Sequence, residues 1–307
     1  MTGLPLFADK QPGGMLALIN REFFPGDVFW VDSGHAAASD TAGFGRSPST
    51  PVATLDYAND LCAASNGDVI FLMPGHAEAI ASDSDLLLNL AGVKVIGLGW
   101  GNLIATFTLG TDAGATIGVT GASVWLENLK IISDLADVAA GITASAAADG
   151  LTVKRCWLSD GAAAKELVIG VSCAAACDNV HIENNRFQTV AAGGCASAIK
   201  FVGATANSRI INNYAHGDYS VACLDGVTAT GTNILIDGNK MVNVDTGAGL
   251  AISLDASTTG QCINNRLAGN KAGTSPISAD GLYFNENYCV DLVNESGIVK
   301  PDVTNFT

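Results

Sequence analysis

One register recurs through most of this chain, and it restricts the fold more than any other feature. Seven segments align: VWLENLKII from Val124, TVKRCWLSD from Thr152, VHIENNRFQ from Val180, SRIINNYAH from Ser208, ILIDGNKMV from Ile234, QCINNRLAG from Gln261 and LYFNENYCV from Leu282. Each has an alternating apolar run, a polar pair usually ending in Asn, and a second short run. The aligned positions are Asn128, Cys156, Asn185, Asn213, Asn239, Asn265 and Asn287, spaced 28, 29, 28, 26, 26 and 22 residues apart. A second element recurs between them: GITASAAADG from Gly141, VIGVSCAAACDN from Val168, AIKFVGATANS from Ala198, VACLDGVTATGTN from Val221 and LAISLDASTTG from Leu250. Each alternates apolar with small polar residues, as a half-buried strand does, and ends in turn formers.

A repeat of this length with two or three short strands fits one coil of a parallel β-solenoid. The Leu-x-x-Leu-x-Leu frame of leucine-rich repeats is absent, helical repeats need a 3.6-residue period, and a propeller blade needs roughly 40 residues. The aligned Asn is expected at a sharp corner in the left-handed region, which Asn tolerates better than most residues. Stacked coils place equivalent side chains about 4.8 Å apart, so the amides should also hydrogen-bond along the stack. From Asp68 to Asn294, about 26 residues per coil predicts roughly eight or nine coils and a rod on the order of 40 Å long.

Composition agrees with stacked strands. Of 307 residues only 15% are charged, 48% are hydrophobic and 35 are Gly. The net charge of −15 repels phosphate backbones, which predicts no nucleic-acid partner. The same charge weighs against an acidic polysaccharide unless a local basic patch escapes it. The opening MTGLPLFADKQPGG lacks a basic stretch followed by an apolar core, which predicts synthesis in the cytoplasm without a signal peptide. The most apolar stretch, Leu86 to Ile104, is interrupted by Asn89, Lys94 and glycines, so it reads as buried strands and no membrane partner is expected.

The eight cysteines are Cys62, Cys156, Cys173, Cys177, Cys195, Cys223, Cys262 and Cys289, with no Cys-x-x-Cys. Most are expected reduced and buried between coils; any left exposed at a subunit contact would crosslink in oxidising surroundings. Cys173 and Cys177 lie four apart with no matching His or Cys pair, which argues against zinc.

The N-terminal part differs from the repeat. DVFWVDSG (Asp27 to Gly34) reads as a strand entering a turn, and Ala38 to Pro51 as a loop. In VATLDYANDLCAAS (Val52 to Ser65), Leu55, Ala58, Leu61 and Cys62 have helical spacing, with Thr54 as N-cap. GDVIFLMPG then opens the first coil, framed by Gly67-Asp68 and Pro74-Gly75. Alternation on both sides of that strand predicts cover on both faces, by the core and by the cap helix.

Val31 to Gly34, Ser47 to Thr54 and Gly67 to Gly75 together resemble the start of right-handed parallel β-helix proteins of the pectin-lyase-like superfamily. The resemblance extends from Asp27 to about Asn294. More narrowly, the chain resembles β-helix proteins of tailed-phage virions, which implies a homotrimer. The resemblance specifies fold well and activity poorly.

Catalytic patterns are sparse. A polygalacturonase-like hydrolase would need Asn-Thr-Asp, Asp-Asp, Gly-His-Gly and Arg-Ile-Lys on successive coils. AHGD (Ala215 to Asp218) matches a fragment, NVDTG (Asn243 to Gly247) has the wrong order, and no Arg-x-Lys follows. Arg186, Arg209 and Arg266 fit a lyase-like site only by count. Asp225, Asp237, Asp245 and Asp255 lie on coils close enough for two to meet the spacing of a glycosidase pair, yet acidic residues are common at corners. Trp157, Phe187, Tyr214, Tyr283, Phe284 and Tyr288 fall near the aligned Asn and read as packing residues; a strip of them exposed on one side would instead mark a carbohydrate platform. His35, His76, His181 and His216 form no i, i+4 pair. His76-Ala77-Glu78 has the His-x-Glu spacing of zinc deaminases, but no Pro-Cys-x-x-Cys follows, so both residues are expected at the exit of the first coil's strand as turn residues.

These readings predict an all-β chain: a right-handed parallel β-helix with an N-terminal capping helix. Residues 1–26 form an arm, 27–65 the cap, 66–294 the β-helix and 295–307 a tail. The arm carries the apolar run Met15 to Ile19, a liability in a free tail, so it is expected to pack on a neighbouring subunit or shell. No catalytic, cofactor-binding or metal-ligating residue is assigned. The leading expectation is a non-enzymatic virion protein: a homotrimer decorating a phage capsid through its arm, with the major capsid protein or another virion protein as partner. The alternative is a tailspike-type protein that binds or degrades a host surface glycan.

Overall fold

The computed structural model describes residues 26–189, 194–226, 228, 230–247, 249–270 and 275–290, and the backbone of 291 and 296–298. The expected arm and tail therefore lie almost wholly outside the described residues. The chain is a parallel β-helix. Each coil visits three sheets in turn. The first sheet stacks ten strands, from Val28–Val31 and Val69–Leu72 to Leu282–Asn285. The second runs from Ala77–Ile80 to Tyr288–Asp291, closed by the antiparallel strand Ser296–Ile298. The third stacks eight strands, from Leu87–Leu88 to Ile277–Ser278.

Alternation along each strand decides what points inward. Val95, Leu126, Val153, Ile182, Ile210, Ile236 and Cys262 are register partners on successive coils and are fully buried. Each such Val, Leu or Ile contributes about 1.5–3 kcal/mol by leaving water. One continuous core results, and because neighbouring strands come from successive coils, stability depends on contacts between consecutive repeats.

The corner between the first and second sheets corrects one sequence expectation. The left-handed residues there are Asn128, Arg155, Asn184, Asn212, Gly238, Asn264 and Glu286, with φ between 52° and 67°. The aligned asparagines from Asn185 onward follow them by one residue and have ordinary backbone. Asn128 is thus one position out of the alignment: it is left-handed, and its Nδ2 donates to the carbonyls of Gly97 and Gly99 at 2.7 Å each. Corner and ladder are neighbouring jobs that both favour Asn, so composition alone cannot separate them.

The ladder itself is as expected. In Asn185, Asn213, Asn239 and Asn265, the backbone N–H and the Nδ2 both donate to the Oδ1 of the next Asn, at 2.8–3.1 Å. Nδ2 also donates back to the first-sheet carbonyls of Val153, Ile182, Ile210 and Ile236. All five ladder residues through Asn287 are at most 2% exposed. Cys156 ends the ladder, its N–H donating to Asn185 Oδ1 at 2.8 Å.

The cap has two parts. Val28–Val31 pairs in parallel with Val69–Leu72 and so belongs to the first sheet. The helix covers only Leu55–Asp60, with Thr54 Oγ1 accepting from the Tyr57 N–H at 3.4 Å. Leu55 and Ala58 enter the core, so the helix closes the core's end. It does not cover the outer face of the first strands, as the sequence had suggested. There, Trp30, Val69 and Phe71 form a separate cluster.

Candidate functional site

The site suggested by His76 and Glu78 is a structural clasp. His76 is fully buried, and its Nδ1 accepts from the Ser33 N–H at 3.1 Å. That leaves Nε2 to donate to Glu78 Oε2 at 3.2 Å, while the same oxygen accepts from the Leu55 N–H at 3.0 Å. Imidazole and carboxylate thus join the first strand's exit, the helix and the first coil. Among the described residues, no group of three or more His, Cys, Asp or Glu gathers as metal ligands.

The candidate carboxylates do not converge. Asp225 lies on the third sheet, 3.3 Å from Lys200. Asp237 ends a first-sheet strand and accepts from Asn264 Nδ2 at 3.0 Å. Asp255 accepts from the Ser257 N–H at 2.8 Å in its own turn. Asp245 instead meets Asp218, the last residue of AHGD, because Gly217 and Asn243 are register partners. Burial raises the Asp218 carboxyl above its ordinary range, as do the charge and hydrogen bond of Asp245. Both fragments of the hydrolase pattern therefore meet on adjacent coils.

A small pocket lies between the second and third sheets, lined by Leu158, Asp160, Phe187, Ser197 and Tyr219 among others. Asp160 accepts from the Leu167 N–H at 3.0 Å and from Cys195 Sγ at 3.5 Å. Ser197 Oγ and Tyr219 Oη are buried without a protein partner. Burial and the Asp160 charge push the Cys195 thiol up, and burial pushes the Tyr219 phenol up, so neither is an activated nucleophile.

The outer face of the second sheet carries the most distinctive arrangement. Lys130, Trp157, Arg186, Tyr214, Lys240, Arg266 and Tyr288 are register partners on seven consecutive coils. Their neighbours Ile131, Leu158, Phe187, Ala215, Met241, Leu267 and Cys289 are buried, so strand alternation turns this row outward. No Asp or Glu occurs in the second-sheet strands from Leu129–Ser133 to Arg266–Gly269. Elsewhere, Arg46, Lys154, Arg155, Lys165 and Lys200 each meet a carboxylate, whereas Lys94 and Arg209 on the first sheet stand apart without one among the described residues. Among the described residues, the four cations of the row have no such partner. A chain of net charge −15 thus concentrates unneutralised positive charge along one line.

Aromatic rings hold three of the four cations in place. Lys130 Nζ lies 4.7 Å from the Trp157 ring centroid, and the Arg186 guanidinium, one coil beyond, lies 4.9 Å from it. Lys240 Nζ is 5.4 Å from the Tyr214 ring, which stacks on His216 at 6.4 Å. Arg186 also donates to Gln188 Oε1 at 2.7 Å. Such cation–π contacts contribute about 0.5–1 kcal/mol each at exposed sites and reduce side-chain wandering. Lys130, Arg186 and Lys240 recur every second coil, about 10 Å apart, with Arg266 one coil further.

The row reverses part of the sequence reading. Trp157, Tyr214 and Tyr288 stand outside as the strip that would mark a platform, whereas Phe187 is buried and Phe284 packs against the core. Tyr283 is exposed on the first sheet. Arg186 and Arg266 belong to the row, and Arg209 lies on the first sheet. The signal was present in the repeat: the row is the column immediately after the ladder position.

No family model matches the chain, and no curated protein matches it. Among solved structures, a chain titled "Rhamnogalacturonan lyase" is 12% identical, with a TM-score of 0.44, covering 85% of this chain and 87% of that one. The parallel strand pairing alone establishes the fold.

Proposed function

We propose that this chain is a polysaccharide-binding β-helix that holds an acidic glycan along the outer row of the second sheet. The observation that carries this reading is the line of four cations without a carboxylate partner among the described residues, three of them held against aromatic rings. A linear polyanion lying along the rod meets a cation at each second coil without any ion pair of the protein having to break. The local charge escapes the argument from net charge, because fixed charges within a few ångströms outweigh distant ones screened over a Debye length of about 8 Å at physiological salt. Single-stranded nucleic acid is the less suited polymer. Its bases need open ring faces, and both faces of Trp157 are approached by the cations of the adjoining coils.

Affinity electrophoresis in gels containing acidic or neutral polysaccharides tests the reading. Retardation is expected in the acidic gels, with no reducing ends or unsaturated sugars released. Equal mobility in all gels would contradict binding, and product release would move the reading to a degrading enzyme.

The virion setting, the homotrimer and the contact with a capsid protein rest on the likeness to tailed-phage β-helices. Co-purification with capsids, tails or neither tests that placement, and removal of Met1 to Gly26 tests the arm's part in it.

A further inference from the structure

The four tryptophans of the chain are placed very differently. Trp30 is buried, Lys94 and Lys154 approach the Trp125 ring, and Lys130 and Arg186 approach the Trp157 ring. Trp100 is 84% exposed, and among the described residues no cation and no other ring meets it. An indole left in water forgoes the largest apolar burial a side chain can make. The loop that displays it is nevertheless closely built. It links the first-sheet strand Lys94–Gly97 to the second-sheet strand Ala105–Leu109. The Leu103 backbone folds back on Gly99, where an added Cβ would overlap the Leu103 carbonyl, and Gly101 takes a φ of 62°. The Leu103 N–H donates to Trp100 O at 3.1 Å, and Leu103 O accepts from the Gly75 N–H of the preceding coil at 2.7 Å. From the following coil, Asn128 Nδ2 donates to the carbonyls of Gly97 and Gly99 at 2.7 Å each. Both neighbouring coils thus fix a short turn whose leading side chain is an unpacked indole.

We propose that Trp100 is a platform on which one sugar ring stacks, at the head of the cation row, an inference that rests on the acidic-glycan reading of that row. Three observations favour a sugar as the occupant. The platform adjoins the row: Asn128, which pins the loop, precedes Lys130 by two residues, at most about 7 Å of chain. Thr106, on the same coil as Trp100, is the register partner of Lys130. The surroundings suit a polyanion, because no Asp or Glu occurs from Leu86 to Thr111. The exposed apolar surface is also small. Trp100 and Leu103 stand beside the exposed Gly101 and Asn102, which is room for one pyranose and far below the roughly 800 Å² per partner of a stable protein interface. The C–H face of a pyranose is apolar and weakly positive, and it matches the negative face of an indole. Trp157 offers no such face, since cations approach both of its sides. Trp100 thereby adds recognition of a sugar ring to a row that recognises only charge.

Acrylamide quenching of tryptophan fluorescence tests this, read on the full chain titrated with alginate, a linear polyuronate. Bound alginate should shield Trp100, so quenching should fall severalfold in wild type and stay unchanged in Trp100→Phe, whose remaining tryptophans are already covered. By isothermal titration, Trp100→Ala should bind alginate about fivefold more weakly, and Trp100→Phe, which keeps a ring, within about twofold of wild type. The Trp100→Ala loss should persist as salt is raised, whereas losses from removing the row's cations should shrink. Bound alginate that leaves Trp100 open to acrylamide, or a Trp100→Ala affinity within about twofold of wild type, would overturn the platform and leave the row standing. Wild type that binds no alginate would overturn the acidic-glycan reading and the platform with it. Shielding that grows with protein concentration in the absence of alginate would also overturn the platform, since a second copy would then be the occupant.

Discussion

Asn213 sits inside the buried ladder with an Asn on either side, and its removal has a calculable cost. Asn213→Ala deletes the Oδ1 that accepts from the Asn185 N–H and Nδ2, both at 3.0 Å. It also deletes the Nδ2 that donates to Ile182 O at 2.8 Å and to Asn239 Oδ1 at 3.1 Å. The Asn185 N–H loses its acceptor in a fully enclosed position, which costs about 1–3 kcal/mol, and the other bonds contribute about 0.5–1.5 kcal/mol each. The expected loss is therefore about 2.5–7.5 kcal/mol, its upper part reduced where the neighbours relax. Asn213→Asp separates the two halves of the amide. It keeps the acceptor but places a carboxylate against Ile182 O and Asn239 Oδ1, two acceptors. Its folded-state pKa should lie above the ordinary value of about 3.9, so the variant should lose stability as pH rises and recover part of it near pH 4.5. Asn212→Gly is the control: its φ of 53° suits Gly, and it should stay within about 1 kcal/mol of wild type. Guanidinium unfolding by circular dichroism at pH 7 and 4.5 measures all three. An Asn213→Ala loss below about 1 kcal/mol would refute the ladder argument.

Cys156→Asn should extend the ladder by one coil and stabilise by up to about 1 kcal/mol in the same unfolding assay, because a new Nδ2 meets Asn185 Oδ1; a destabilised variant would contradict this. Seven cysteines are buried, and burial pushes the half-buried Cys62 thiol up to about 12, so native protein should show at most one slowly reacting thiol with Ellman's reagent and eight in guanidinium. Rapid reaction of two or more native thiols would restore the crosslinking expectation. Burial and Asp245 raise the folded Asp218 carboxyl, so the folded state binds its proton more tightly than the unfolded state does, and stability falls as pH rises through that raised value. Asp218→Asn should raise the melting temperature at pH 7 and flatten this fall; an unchanged pH profile would show the pair to be uncoupled.

Strands, turns and stacking were legible because they depend on local rules. Period-2 alternation placed Val153, Ile182 and Ile236 inside, and turn formers placed the corners. Coil lengths that vary from 22 to 29 residues hide the exact register, so the alignment puts Asn128, a corner residue, in line with the ladder asparagines. The row was missed for a different reason. Arg186, Tyr214 and Lys240 each look unremarkable within their own segment, and only stacking makes them neighbours. Asp218 and Asp245 became a pair in the same way. The burial of Trp30 and Val69 on an outward face was not legible either, since alternation gives a side chain's direction and not what lies over it.

The row is tested most directly by isothermal titration of an acidic polysaccharide into wild type, into Lys130→Gln/Arg186→Gln/Lys240→Gln/Arg266→Gln, and into the first-sheet control Lys94→Gln/Arg209→Gln. Exposed charge pairs contribute up to about 1 kcal/mol each, about fivefold in affinity. The quadruple variant should lose at least tenfold, and the control, which removes two charges from another face, should lose less than about twofold. Equal losses in both variants, or none in either, would contradict a binding site on the outer row of the second sheet.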